Sequence, residues 1–151
     1  MPESLVVRIS VVLLQWGERY LATFNAQWGA FTLPMTRLKR LDDPEVPGMA
    51  TNESWVDAAL RVMAEYLGRT TTLKPELALE VPQSQQSQRS GELKRYHFKV
   101  FRFVFAEEPK LAPGVVAEWL TADEFMDERR QPISTTARDV FVELRNRRKD
   151  R

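Results

Sequence analysis

The 151-residue chain contains no cysteine and only one histidine. The first absence excludes disulfides, thiolate metal sites and cysteine nucleophiles, and it suits a cytoplasmic location. The second leaves His97 as the one imidazole. His97 has no recognisable partner motif, so no nucleophilic triad can be assembled around it. An excess of charge of one sign is missing too. Twenty-two basic residues stand against 21 acidic ones, for a net charge of +1. A dedicated nucleic-acid binder usually carries a basic surplus, so no nucleic-acid partner is expected. The one basic cluster (Arg145, Arg147, Arg148, Lys149 and Arg151) reads as a solvated helix end, where cations complement the helix dipole. Long apolar runs are also lacking. Val6–Leu14 is interrupted by Arg8 and Ser10, and it falls well short of the ~20 residues that cross a bilayer. It lacks the basic start and small-residue cleavage site of a secretory signal, so no membrane association is expected.

What is present suits a globular chain, with 43% hydrophobic and 28% charged residues. The length predicts one domain over 1–151, large enough to bury a core without staples. Val6–Leu14, rich in β-branched residues, and Tyr20–Phe24 predict an opening hairpin around Gly17. Trp28–Met35 reads as irregular strand and turn. Arg37–Asn52, with Pro44, Pro47 and Gly48, reads as a loop. A helix follows, capped by Thr51 or Asn52, with Glu53 in its first turn. Its apolar stripe is Val56, Ala59, Leu60, Met63 and Leu67, and Gly68 ends it. Leu77–Val81, Tyr96–Phe105 and Val115–Leu120 read as strands, with Pro82–Lys94 a glutamine-rich loop. Thr121 caps a short helix, and a closing helix over Ile133–Arg148 is capped near Ser134. The fold class is therefore α/β or α+β, with a mixed sheet between helices.

One segment carries a resemblance. Glu53 is followed after seven residues by Arg61, then by Met63, Glu65 and Gly68, with Ala58-Ala59 before the arginine and Leu33-Pro34 upstream. This is similar to the Nudix box of pyrophosphohydrolases: a glycine, five residues, Glu, seven residues, then Arg-Glu-aliphatic-any-Glu-Glu-any-Gly-aliphatic. The resemblance implies a Nudix-like α/β/α sandwich with a mixed β-sheet, a central box helix and a C-terminal helix. It also implies structural roles for Glu53, Arg61 and Gly68, and an Mg-dependent cut in a nucleoside diphosphate derivative.

The departures bear on that chemistry. The family's three metal-binding glutamates correspond to Val62, Glu65 and Tyr66, which share one helix face at about 100° per residue. Two of them carry no carboxylate, whereas magnesium requires oxygen ligands and its charge drives pyrophosphate hydrolysis. Met35-Thr36 replaces a glycine pair that would allow close backbone approach to a ligand. The loop between Thr36 and Glu53 is about eleven residues longer than the family spacing. Arg69 stands at the final aliphatic position.

The box is thus degenerate, and a non-catalytic domain that binds a nucleotide-type ligand or a protein partner is expected. Glu65 is the metal and catalytic candidate if the protein is active, although a plain ion pair with Arg61 is the simpler reading. Asp57, Glu92, Glu107 and Glu108 are the candidates for a rearranged Mg site. Trp28 and Tyr66 are the candidate ligand-binding residues; Trp16, Trp55 and Trp119 read first as packing. The alternatives are an active pyrophosphohydrolase with that rearranged site, and a structural module of a larger assembly that uses Arg37–Asn52 and Pro82–Lys94 as contact surfaces.

Overall fold

The computed structural model describes residues 6–42, 50–69, 73–87, 93–127 and 132–149. Along the chain run β1 (Val6–Trp16), β2 (Arg19–Asn25), β3 (Ala30–Thr32), β4 (Met35–Arg37), β5 (Arg40–Asp42) and β6 (Ala50–Asn52). Helix α1 (Trp55–Leu67), β7 (Glu76–Ser87), β8 (Leu93–Phe105), β9 (Ala117–Thr121), α2 (Ala122–Met126) and α3 (Thr135–Lys149) follow. The main sheet has the order β3-β2-β1-β8-β7, with β4 paired to β1 and β9 to β2. It is mixed: β1 lies parallel to β8 from Val6↔Arg95 to Trp16↔Phe105, and its other pairings are antiparallel.

The alternation of side chains along β1 divides the interior between two layers. Val7, Ile9, Val11 and Leu13 face a cluster that includes Phe125 of α2 and Ala137, Val140 and Phe141 of α3. Val12 and Leu14 face the opposite way, against Ala59, Val62, Met63 and Leu67 of α1. Helices cover both faces of the sheet, as the α/β/α sandwich requires. No helix among the described residues is long and apolar enough to cross a membrane.

Several boundaries differ from the sequence expectations, each for a physical reason. The cap of α1 is Ser54, whose Oγ accepts the Asp57 N–H at 3.0 Å. Thr51 and Asn52 are unavailable as caps because their backbone pairs with Leu41 and Arg40 in a β5–β6 hairpin. That hairpin occupies the two ends of the stretch read as a loop; residues 43–49 lie outside the described residues. Glu53 consequently precedes the cap, and Asp57 is the acid of the first turn. Val56 points outward at 39% exposed, while Ala58 and Val62 turn in. The buried stripe is rotated from the one expected. Most of the Pro82–Lys94 loop is strand. β7 runs to Ser87 and pairs with β8 from Leu93. Pro82, which has no N–H to donate, falls in the register shift between Val81 and Ser84. Residues 88–92, including Glu92, lie outside the described residues. The closing helix starts at Thr135, since Ile133 is held in a bridge to Phe31; Ser134 Oγ accepts the Ala137 N–H at 3.1 Å.

Candidate functional site

Glu53 and Arg61, eight residues apart, meet in a two-pronged hydrogen bond. Arg61 Nε donates to Glu53 Oε2 at 3.1 Å and Nη2 to Oε1 at 2.9 Å. The same pair ties down the chain entering from β4. Arg61 Nη2 also donates to the Arg37 carbonyl at 3.1 Å, and the Lys39 N–H donates to Glu53 Oε1 at 3.1 Å. The Glu53 N–H returns a bond to the Lys39 carbonyl at 2.7 Å. Lys39 and Glu53 directly flank the β5–β6 hairpin, so its base is closed by both backbone and side-chain bonds. The extra residues of this loop are thereby set aside, and Glu53 is returned to Arg61 despite the longer spacing.

Charge-assisted bonds of this kind favour the ionised forms. The Arg61 guanidinium holds the Glu53 carboxyl below the usual glutamate range, against burial that would raise it. Glu53 in turn raises Arg61.

The far end of α1 is fixed differently. Gly68 caps it with φ 71°, a left-handed conformation that side chains rarely adopt. A Cβ at Gly68 would come within 3.3 Å of Ala112 Cβ, while the Ala112 N–H donates to the Tyr66 carbonyl at 2.7 Å.

Between these anchors lie the three positions that the family pattern gives to metal-binding carboxylates. Val62 is 1% exposed and packs with Val12, Leu14 and Leu21. Its side chain is part of the core, because the helix phase directs it at the sheet. Tyr66 is half-buried, and its hydroxyl lies 3.4 Å from Thr23 Oγ1 on β2. Glu65 is 62% exposed, with Arg61 Nη1 3.7 Å away. This donor set does not fit a magnesium cluster. One position is aliphatic and buried, one is a neutral phenol, and the remaining carboxylate faces a guanidinium. Among the described residues no group of three Asp, Glu or His side chains is placed to hold a metal. Asp57, Glu107 and Glu108 are exposed and belong to no such group.

Trp28 sits in the β2–β3 turn, 54% exposed, with its N–H donated to Asn25 Oδ1. The structure joins it to Tyr66 by no ring contact among the described residues. The other tryptophans pack: Trp16 meets Trp119 edge-on at 5.8 Å, and Trp55 lies 4.8 Å from His97 with Lys99 Nζ above it at 4.9 Å. His97 has a partner that the sequence did not reveal. Its Nε2 lies 2.7 Å from Glu80 Oε2. Only the β7–β8 register brings the two together, and no motif marks it. A cavity of about 410 Å3 opens between β7 and α3, away from α1, with Leu79, Phe98, Val140 and Glu143 among its lining residues.

No family model matches the sequence, and no curated protein does. The similarity is in the fold. The chain superposes on a MutT protein from Methanosarcina mazei Go1 with a TM-score of 0.66 at 16% identity, covering 99% of both chains. The C-terminal domain of mouse MUTYH, in a complex with human PCNA, matches with a TM-score of 0.60 at 16% identity, covering 95% of this chain and 90% of that one. The NUDIX domain of Shewanella oneidensis NrtR, in a complex with ADP ribose, matches with a TM-score of 0.58 at 13% identity over 97% and 90%.

Proposed function

We propose that this chain, which carries the Nudix fold, is a non-catalytic member of that architecture that recognises a nucleotide-type ligand without hydrolysing it. The observation that carries the reading is the fate of the three carboxylate positions. Val62 is absorbed into the core, Tyr66 is turned to Thr23, and Glu65 is left beside Arg61. Metal-assisted pyrophosphate cleavage offsets developing negative charge with a bound cation. A lone exposed carboxylate beside a guanidinium supplies neither the cation nor an activated water. The helix, its two anchors and the sheet beneath are kept, and such a scaffold can still present Tyr66 and Trp28 to a ligand. NrtR offers a parallel, as its NUDIX domain was crystallised with ADP ribose.

A thermal-shift screen of nucleotides and dinucleotides, with and without magnesium, tests the proposal. Ligand bound to the native state raises the melting temperature by mass action. The expected result is a stabilising nucleotide-type ligand whose effect does not depend on magnesium, with no turnover of it. Magnesium-dependent cleavage that disappears in Glu65→Ala would establish the active, rearranged alternative instead.

A second reading, a protein partner, is favoured by one observation. Phe24, Trp28 and Val116 are all exposed around the outer end of β2, and the Phe24 N–H bonds the Val116 carbonyl. The MUTYH domain, seen with PCNA, is a parallel for it. Co-purification with a partner, lost in Trp28→Ser, would favour this reading over the first.

A further inference from the structure

On the face of the sheet away from α1, a cavity of about 170 Å3 lies between β2, β8, α2 and α3. Tyr20, Met126 and Phe141 supply apolar wall, and Arg102, Asp123 and Arg145 supply charge. Arg102 is unexpected at this place. It occupies the inward parity of β8, two residues beyond Val100 and four beyond Phe98, both of which are buried in the cluster beneath α3. Its Nε is buried and has no hydrogen-bond partner among the described residues. Glu76 stands directly across from it in β7, yet no ion pair joins them among the described residues. Nearly all buried donors are partnered, and a charged one left unpaired is costlier than a neutral one. Arg102 lines the cavity and has no ion pair among the described residues, so its guanidinium is available to an acceptor held in that cavity.

We infer that this cavity binds a small carboxylate with an apolar body, held by Arg102 and Arg145 and set against Tyr20 and Phe141. The charges select that class. Among the residues lining the cavity, two guanidiniums and Asp123 leave one positive charge, which a single carboxylate offsets. A phosphate dianion would exceed it and would face Asp123. The planar guanidinium fork also matches a planar carboxylate, and the apolar wall favours a hydrocarbon body over a bare ion. The cavity is smaller than the ~300 Å3 lower limit of drug-sized sites, so the ligand is of fragment size. This site is separate from the box helix and stands whether or not the box is catalytic.

The test titrates the purified full chain with sodium benzoate, benzamide and inorganic phosphate, followed by amide chemical shifts. Benzoate is expected to saturate in the millimolar range and to shift amides of β8, α2 and α3. Benzamide, of the same shape without the charge, is expected to bind about tenfold more weakly or worse. Arg102→Met keeps the aliphatic stem and is expected to lose at least about tenfold in benzoate affinity. Arg145→Met, on an exposed position of α3, reads the same loss where Arg102→Met fails to fold. The inference is overturned if benzamide matches benzoate, or if phosphate binds at least as tightly. Undiminished benzoate affinity in the folded arginine variants, or shifts confined to α1, would overturn it as well.

Discussion

The residues that anchor α1 and the helix face that carries Val62, Glu65 and Tyr66 are built in opposite ways. The anchors keep a dense set of polar contacts: Glu53, Arg61, Lys39 and Arg37 exchange hydrogen bonds between 2.7 and 3.1 Å. The other face, Val62, Glu65 and Tyr66, is resolved into one core side chain, one exposed acid and one long contact to Thr23. Arg61 and the three residues of that face belong to one helix, so the contrast is not one of local stability. The contacts that dock the helix on its sheet are dense, whereas Val62, Glu65 and Tyr66 together offer only one carboxylate.

Mutations can break this contrast in order of expected effect. Val62→Glu places a carboxylate against Val12, Leu14 and Leu21 and is expected to cost about 4 kcal/mol, read as a fall in the urea midpoint. For the same reason the pair Val62→Glu with Tyr66→Glu is expected to lose folded protein before it gains magnesium. A double variant as stable as wild type would show that Val62 still belongs to an open face.

Glu53→Ala removes the acceptor for Arg61 and for the Lys39 N–H, and is expected to cost about 2–3 kcal/mol by the same measurement. A loss under ~0.5 kcal/mol would mean that the anchor is not structural. The acid limb sharpens this further. Because Arg61 depresses the Glu53 pKa, the stabilisation by Glu53 is complete above the ordinary glutamate value of about 4.3 and is lost as pH falls through the lower folded value. The stability gap between wild type and Glu53→Gln should therefore be constant from pH 7 to about pH 5 and shrink below pH 4. A gap that widened on acidification would contradict the assignment.

The smallest effects belong to the other set. Tyr66→Phe is expected to cost about 0.5 kcal/mol and Glu65→Ala about 0.3 kcal/mol, the latter reduced further by salt. Neither is expected to change the thermal response to magnesium. A drop of several degrees in Glu65→Ala, seen only when magnesium is present, would restore Glu65 as a metal ligand.

Much of the fold was legible because local signals and periodicity agreed. β1 showed in its β-branched run, α1 in its stripe and terminal glycine, α2 in the Thr121 cap that Glu124 completes as a capping box. The polar end of β7 was not legible, since Gln83–Ser87 has the composition of a loop and becomes strand only by pairing with β8. The rotation of α1 was missed because Val56 and Val62 are equally apolar. Which of them is inside depends on where the sheet lies. At the site, the Glu53–Arg61 spacing was visible. The participation of Lys39 and Arg37 was not, because it depends on the hairpin that separates Lys39 from Glu53. The Glu80–His97 and Tyr66–Thr23 contacts likewise depend on strand register and on helix docking, which local composition does not encode.

The parallel ladder between β1 and β8 also governs the order in which the molecule can be made. Partners such as Val6 and Arg95 are separated by roughly ninety residues, and long-range parallel pairing is slow to form. Until β8 leaves the ribosome, the strand pairings open to β1 among the described residues are the short antiparallel ones with β2 and β4, beside its packing against α1. Its most apolar stretch, Val11–Leu14, therefore waits without its main neighbour during most of synthesis. A nascent chain in that state exposes an unpaired strand edge, the feature by which chains aggregate or are held by chaperones.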